Sequence, residues 1–315
     1  MEQHKKLISL VIPVYNEEFN IRPLYNAVCG VIKSLEVSYD FEFVFTDNHS
    51  TDKSFLELES LFESDKRVRV FRFSRNFGYQ KSILTGYLQA AGDAIIQLDC
   101  DLQDPPSMIV DFIQHWEDGY SVVYGVREKR KENWTINLTR KVFYRLINYL
   151  SEDDLPLDAG DFRLIDKKIV TVLRQIDDAQ PYLRGSIAVM GFNQIGIPYS
   201  RNDRKLGSTN FKFKDLVNLA IDGVLNHSIV PLRIASFFGI IASIVSLVLT
   251  LFYTAGKFFF GYAWPAGFTT LAVMILSGIA INALFLGILG EYVGRIYRQV
   301  KKRPLIIIEK TLGGR

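Results

Sequence analysis

Apolar side chains in the first hundred residues fall into short runs that are separated by polar segments. Four of these runs are rich in strand-forming residues, and they are the predicted strands: 7–14, 41–45, 68–73 and 94–96. The first run is almost continuously apolar, as expected of a strand that is buried on both faces of a sheet. Helical segments lie between the runs. This alternation predicts a doubly wound α/β fold with a mainly parallel sheet.

Polar residues follow the predicted strands at the points where the strands end. They occupy 15–18, 46–52 and 74–78 after the first three strands. In open α/β sheets, ligands bind outside the carboxyl ends of the strands. The sequence therefore predicts that these polar segments line one crevice.

Two carboxylates, Asp99 and Asp101, follow the fourth strand at positions i and i+2. The segment 104–106, Asp-Pro-Pro, then prevents further ladder pairing and forces a turn. Two hard oxygen ligands at a strand end predict a divalent cation that holds a phosphate. The alternative is a solvated turn after a buried strand.

Two long segments without charged residues, 234–256 and 268–289, dominate the C-terminal part of the chain. Mean hydropathy is +0.10 although 23% of the residues are charged, so apolar and charged residues must be segregated. About 20 apolar residues in a helix span a hydrocarbon core of roughly 30 Å. We predict two transmembrane helices. Two buried core helices are the alternative, which the lack of a polar face disfavours.

Basic residues flank this pair of segments, within 201–214 before the first and within 295–303 after the second. The positive-inside rule then predicts a multi-pass protein of the inner (plasma) membrane, with its main domain and both termini in the cytoplasm. Helical spacing of apolar residues in 211–221 predicts an amphipathic helix in the membrane interface, with a core-packing helix as the alternative. The segment 304–309 predicts a strand that pairs with another subunit, and therefore a homo-oligomer.

These features divide the chain into four regions. They are a cytosolic α/β domain (1–210), an interfacial amphipathic helix region (211–232), two transmembrane helices with a short outside link (233–292) and a basic cytosolic tail with a strand (293–315). The expected surroundings are a lipid bilayer and further copies of the chain, and no nucleic acid.

Five short motifs occur in the order in which a known family carries them. They are 11–17 (VIPVYNE), 47–52 (DNHSTD), 74–78 (SRNFG), 99–106 (DCDLQDPP) and 160–164 (GDFRL). With them the chain resembles family 2 glycosyltransferases. Within that family it resembles the polyprenyl-phosphate branch, which includes bactoprenol glucosyltransferases and dolichol-phosphate mannose synthases. The likeness spans nearly the whole chain.

The resemblance implies a GT-A fold, Rossmann-like in its sheet, and a metal-dependent enzyme. The implied reaction is inverting transfer of one sugar from a nucleotide-sugar donor to the phosphate of a membrane polyprenol. UDP-glucose and undecaprenyl phosphate are the expected pair, and the product would serve modification of a cell-envelope glycan. GDP-mannose or a UDP-amino-sugar are alternative donors. A processive membrane polysaccharide synthase and a non-catalytic membrane partner are alternative functions, but no Gln-x-x-Arg-Trp element of the synthases is present.

Roles on the donor side are carried over by position. The residues implied to bind the nucleotide-sugar are Pro13, Tyr15, Glu17, Asp47 and Asp99. Those implied to surround Mg²⁺ or Mn²⁺ are Asp99, Asp101 and Gln103, and the implied catalytic residues are Asp101 and Asp158. The cation would stabilise the charge that develops on the departing nucleoside diphosphate. One departure is that Asn48 and His49 stand where the family commonly has Asp-Gly, which leaves the choice of nucleotide open.

Roles on the acceptor side belong to cations that match phosphate oxygens. The implied residues are Arg127, Arg140, Arg201, Arg204 and Ser208. A polyprenyl phosphate has a second pKa of about 6 and is mostly dianionic at neutral pH, so positioning outweighs base catalysis. The alternative is that the cations form a solvated face. A second acid, Asp161, follows Asp158 on the other side of Gly160. The alternative to a role for these two acids in the reaction is that they cap a turn and pair with Arg163.

Overall fold

The computed structural model describes residues 5–127, 159–178, 181–201, 267–301 and 303–313, with single positions and short stretches between 232 and 259. These residues divide into two compact units. The first contains 5–127, 159–178, 181–201 and 303–313, and the second contains the described residues from 232 to 301.

The first unit is built on one sheet, which has eight strands over the residues described. The strands are β1 (Lys6–Val14), β2 (Tyr39–Asp47), β3 (Val68–Phe73), β4 (Ala94–Gln97), β5 (Val122–Arg127), β6 (Ala159–Asp166), β7 (Gln194–Tyr199) and β8 (Ile308–Leu312). Their order in the sheet is β7-β5-β6-β4-β1-β2-β3-β8. The pairs β1–β2, β1–β4, β2–β3 and β5–β7 are parallel. The α/β prediction is confirmed, but the sheet is mixed, because β6 and β8 run antiparallel to their neighbours.

Helices of the first unit connect these strands. Those described are α1 (Ile21–Ile32), α2 (Ser54–Ser64), α3 (Tyr79–Gln89), α4 (Met108–Glu117), α5 (Lys167–Leu173) and α6 (Leu183–Ala188). In α1 the buried residues Ile21, Leu24, Val28 and Ile32 recur at helical spacing, which turns one apolar stripe toward the core.

Strand β1 lies near the middle of the sheet and is buried from Ile8 to Val14. Ile8, Leu10 and Ile12 belong to the core on one face of the sheet, and Val11 belongs to the core on the other. Because successive side chains of a strand point to opposite faces, a strand covered on both sides is apolar at nearly every position, and the buried exception in β1, Ser9, donates a hydrogen bond to Glu42. The continuous apolar run in the sequence has this origin.

Strand β8 corrects the prediction for the C-terminal tail. It occupies Ile308–Leu312 rather than 304–309, and it pairs antiparallel with β3 of the same chain instead of another subunit. The first contact of the tail with this edge is a hydrogen bond of 3.0 Å from the Ser74 N–H to the Ile307 carbonyl. Without β8, the backbone N–H and C=O groups along this side of β3 would have no strand to pair with. The tail of the same chain supplies that strand.

In the second unit the longest described helix is α7 (Phe268–Val300). Among the residues that the structure describes, no helix combines the length and the apolar character needed to cross a bilayer. The predictions of two transmembrane helices and of a multi-pass inner-membrane protein with cytoplasmic termini are therefore wrong. They rested on counting uncharged residues along the sequence. Helix α7 does not end with its uncharged run but continues through Glu291, Arg295 and Arg298. The described positions of the run 234–256 are helical.

Helix α3 packs on β1 at a glycine, and this contact is testable. Gly86→Ala is expected to lower the free energy of unfolding by about 1–3 kcal/mol, because overpacking strains a filled core. The added Cβ would lie 2.2 Å from Val11 Cγ1. Denaturant unfolding followed by circular dichroism measures the change.

Gly30→Ala in α1 is the matched control, since an added Cβ there meets nothing within 4 Å. This variant should gain up to about 1 kcal/mol from helix propensity. Equal stability of the two variants would contradict the close approach of α3 to β1.

Candidate functional site

A cavity of about 360 Å³ opens at the carboxyl ends of β1 to β4. Its walls come from all four of these strands or the loops that follow them. The lining residues are Pro13, Val14, Tyr15 and Glu17; Asn48; Asn76, Gly78, Tyr79 and Ser82; and Asp99, Cys100 and Asp101. The polar segments that the sequence placed at the strand ends therefore meet around one cavity, as parallel pairing requires.

Each of the four loops contains a residue with left-handed backbone geometry. Among the described residues, those other than glycine with positive φ are Asn16 (56°), His49 (62°) and Leu102 (58°), and the loop after β3 contains Gly78 at 97°. For the three residues other than glycine, such conformations cost about 1–3 kcal/mol each and cluster at functional sites, whereas Gly78 adopts positive φ without that cost. His49 occupies the position where the resembled family commonly has glycine, and its Nδ1 lies 2.9 Å from the Phe73 carbonyl oxygen.

Polar side chains tie the first three loops to each other. The Asn48 Oδ1 accepts a hydrogen bond of 2.8 Å from the Phe77 N–H, and its Nδ2 donates one of 2.9 Å to Asn76 Oδ1. The Asn16 Oδ1 accepts from the Thr51 N–H at 2.8 Å. An amide can donate and accept at once, which a carboxylate in place of Asn48 cannot do. These bonds fix the mouth of the cavity.

Asp47, the last residue of β2, lies beneath this loop and not on the cavity wall. It is fully buried, and its Oδ1 accepts a hydrogen bond of 3.0 Å from the Ser50 N–H. Its Oδ2 has no hydrogen-bond partner among the described residues, although Arg72 Nε lies 3.7 Å away. Asp47 thus lies beneath the loop with one oxygen bonded to the loop backbone and the other facing Arg72.

Asp99 is held by two donors that the sequence did not single out. The Tyr79 hydroxyl and the Gln97 amide, the latter at 2.9 Å, both donate to its Oδ1. Burial raises the pKa of Asp99 to about 6; the Tyr79 hydrogen bond opposes this shift, and three neighbouring acids add to it. Buried negative charge is therefore concentrated here, which favours a cation.

Asp101 lines the same cavity, and its Oδ1 accepts a hydrogen bond of 3.1 Å from the Gln103 N–H. Gln103 itself does not line the cavity. Over the described part of the chain, no three His, Cys, Asp or Glu side chains group closely enough to hold a metal. Of the predicted ligands Asp99, Asp101 and Gln103, the two that line the cavity are Asp99 and Asp101. Mg²⁺ commonly binds to one or two carboxylates and completes its shell with substrate phosphates and water, so the pair fits a cation that arrives with a diphosphate.

Asp161 and Arg184 form a bidentate ion pair beside Asp99. The Arg184 Nε donates to Asp161 Oδ1 at 2.9 Å and its Nη2 to Oδ2 at 2.6 Å. Burial alone would raise the pKa of Asp161, but Arg184 lowers it below the usual range. The direct ion pair of Asp161 is with Arg184 and not with Arg163, whose Nη2 donates to the Gly160 carbonyl at 2.7 Å, although the charge of Arg163 also lowers the pKa of Asp161. Sequence reasoning missed Arg184, because no motif links it to β6.

Two of the predicted acceptor residues, Arg127 and Arg201, lie at the ends of the parallel neighbours β5 and β7. Both contact a buried group formed by Tyr199 and Asp104. The other predicted residues Arg140, Asp158, Arg204 and Ser208, and almost all of the predicted interfacial helix 211–232, lie outside the described residues.

Comparison with known proteins places this site in a family. The family described as "Glycosyl transferase family 2" matches residues 9–173. An uncharacterized glycosyltransferase YkcC of Bacillus subtilis is 39% identical over 97% of this chain and 94% of the relative. A prophage bactoprenol glucosyl transferase homolog of Escherichia coli is 34% identical over 96% of this chain and 99% of the relative.

A solved structure, glucosyl-3-phosphoglycerate synthase from Mycobacterium tuberculosis with Mn²⁺ and UDP, is 15% identical and has a TM-score of 0.45. The likeness covers 70% of this chain and 77% of that chain. At this TM-score it supports no inference about function.

Removal of Arg184 tests the ion pair that compensates the buried Asp161 carboxylate. Arg184→Leu should lower the free energy of unfolding by about 2–4 kcal/mol, because it leaves the buried Asp161 carboxylate without its partner. Arg184→Leu combined with Asp161→Asn should recover part of this loss. Thermal and denaturant unfolding provide the measurement.

Arg22→Leu is the control, because Arg22 pairs with Glu57 at 3.1 Å on the exposed surface. Its effect should stay within about 1 kcal/mol. A loss in Arg184→Leu no larger than in this control would contradict a structural pair at Asp161.

Proposed function

Because the chain belongs to glycosyl transferase family 2, we propose that it transfers a single sugar from a nucleotide-sugar to the phosphate of a polyprenol. The favoured donor is UDP-glucose and the favoured acceptor is undecaprenyl phosphate. The observation that carries this proposal is that Asp99 and Asp101 line one cavity with Pro13, Tyr15 and Glu17. Relatives named bactoprenol glucosyl transferase support the acceptor class, one of them from Shigella phage SfII at 33% identity over 98% of this chain.

The donor side of the proposal uses the cavity at the ends of β1 to β4. Its wall contains Tyr15, an exposed aromatic ring on which a base can stack, and Pro13 and Glu17 beside it. Asp47 lies beneath, with a buried oxygen that lacks a donor among the described residues. Asp47 supports this part of the cavity from below, because it accepts the Ser50 N–H and so fixes the loop that contains Asn48. We assign the nucleoside to this part of the cavity and the diphosphate to the part near Asp99 and Asp101.

The cation of the proposed reaction is Mg²⁺ or Mn²⁺, which Asp99 and Asp101 would hold together with the donor diphosphate. Gln103 contributes its backbone N–H to Asp101 and so fixes that carboxylate. When bound, the cation supplies charge stabilisation to the leaving nucleoside diphosphate. Tyr79 and Gln97 hold Asp99 in place for this task, since both donate to its Oδ1.

The acceptor side of the proposal uses the arginines at the ends of β5 and β7. Arg127 is exposed and Arg201 is partly exposed, so both are accessible to a phosphate from solvent. We propose that they bind the acceptor phosphate together with Arg140, Arg204 and Ser208. Asp158 is the proposed orienting or basic group for the attacking phosphate. A dianionic phosphate needs little deprotonation, so these residues chiefly fix its position.

Transfer of radiolabel tests the proposed function. Wild-type protein in detergent with undecaprenyl phosphate and a panel of UDP- and GDP-sugars should give one labelled lipid product from UDP-glucose, and EDTA should abolish it. Asp101→Ala should lower kcat by about a hundredfold or more, since charge stabilisation of this kind is worth several kcal/mol.

Asp40→Ala is the matched control, because Asp40 is an exposed acid at the opposite end of β2. It should retain wild-type turnover. A lipid that carries several sugars, or a water-soluble polymer, would replace the proposal with a processive synthase. No lipid product from any donor would contradict a polyprenyl phosphate acceptor.

A further inference from the structure

Arg127 and Arg201 come from different segments of the chain, yet one buried pair of side chains contacts both. Arg127 is the last residue of β5, and Arg201 follows β7 by two residues. In the register of these parallel strands, Arg127 stands opposite Tyr199. Both arginines therefore lie at the carboxyl ends of these strands, Arg127 against the Tyr199 hydroxyl and Arg201 against Asp104.

Tyr199 connects the first arginine to a carboxylate. Its hydroxyl accepts a hydrogen bond of 3.3 Å from Arg127 Nε and donates one to Asp104 Oδ1. Burial and the Asp104 carboxylate both raise the pKa of Tyr199, so the hydroxyl keeps its proton and remains a donor. Because Nε faces Tyr199, the Arg127 terminal nitrogens are directed elsewhere. They bond to no protein group among the described residues.

Asp104 connects the second arginine to the same group. Its Oδ1 lies 3.4 Å from Arg201 Nε, and the residue is only 2% exposed. Its Oδ2 is buried without a hydrogen-bond partner within the described part of the chain. A buried carboxylate is costly unless cations compensate it, so Asp104 draws both arginines toward itself. Asp104 also lies in the loop that contains Asp99 and Asp101.

The ring of Tyr199 has little freedom to move. A Cβ on Gly125 would lie 2.7 Å from Tyr199 Cε1, so the ring packs directly on the glycine backbone of β5. The ring also meets Phe162 edge-on, with centroids 5.8 Å apart. The hydroxyl is thus held at a fixed height between β5 and β7, as a positioning group requires.

We propose that Tyr199 and Asp104 are positioning residues for the acceptor phosphate. They hold Arg127 and Arg201 at one spacing, with the terminal nitrogens of Arg127 presented to the phosphate. Through Asp104 they also connect this pair to the loop of the donor-side acids. The inference rests on the proposed function, because it concerns how that site binds its acceptor. A purely structural role for the same group predicts a different outcome, in which donor and acceptor binding weaken together as the fold loosens.

Tyr199→Phe is the decisive variant, since it removes only the hydroxyl that joins Arg127 to Asp104. The KM for undecaprenyl phosphate should rise about tenfold, the effect of losing one hydrogen bond to a charged group. The KM for the nucleotide-sugar should stay unchanged. Tyr124→Phe is the control: this tyrosine of β5 makes no hydrogen bond to Asp104, Arg127 or Arg201 in the described residues, and its KM values should match the wild type.

A double variant tests whether Tyr199 acts through Arg127. Arg127→Leu alone should raise the acceptor KM. Adding Tyr199→Phe in that background should change it by less than about twofold, because groups in one network are not additive. If the rise in acceptor KM of the double variant equalled the product of the rises in the two single variants, the proposed coupling would be contradicted. If Tyr199→Phe does not fold, Asp104→Asn provides the same test, with a rise in acceptor KM and an unchanged donor KM expected.

The remaining outcomes separate this inference from the proposed function. Wild-type transfer to undecaprenyl phosphate with an unchanged acceptor KM in Tyr199→Phe would overturn the positioning role alone. An equal rise in the two KM values, with a lowered Tm, would also overturn it, in favour of a structural role. Absence of transfer by the wild type would overturn the proposed function and this inference with it.

Discussion

Parallel pairing among the four strands β1, β2, β3 and β4 is the constraint on which the rest of the site depends. The strand registers place Val14 opposite Asp47 and Val11 opposite Gln97, so the loops that follow these strands leave the sheet at one edge. Each loop contains a residue with positive φ. Without parallel pairing, the polar side chains of these loops and the acids Asp99 and Asp101 would lie at opposite ends of the sheet.

Charge is arranged in two groups around this edge. The acids Asp99 and Asp101 line the cavity, where burial raises the pKa of Asp99 and favours a cation. The arginines Arg127 and Arg201 lie at the ends of β5 and β7, against the buried Asp104. A donor diphosphate with a divalent cation and an acceptor phosphate are the two ligands that these groups suit, which is the basis of the proposed reaction.

The sequence predicts those features that depend on local pattern. Apolar runs indicate β1, β2, β3 and β4, because strands covered on both faces are apolar at most positions, and polar strand ends indicate the cavity. Contacts between distant residues leave no such signal. The pairing of β3 with β8 joins Arg72 to Lys310, and the Asp161–Arg184 pair depends on how α6 faces β6. The transmembrane prediction failed for a related reason, since a count of uncharged residues says nothing about where a helix ends.

Direct binding of nucleoside diphosphates tests the central claim that the cavity at the ends of β1 to β4 is a metal-assisted donor site. Isothermal titration calorimetry would compare UDP and GDP, each with and without Mn²⁺, for the wild type, Asp101→Ala and Asp40→Ala. We expect saturable binding of UDP that requires the cation, disappears in Asp101→Ala and persists in Asp40→Ala. Binding that is the same in all three proteins, or that ignores the cation, would contradict the account.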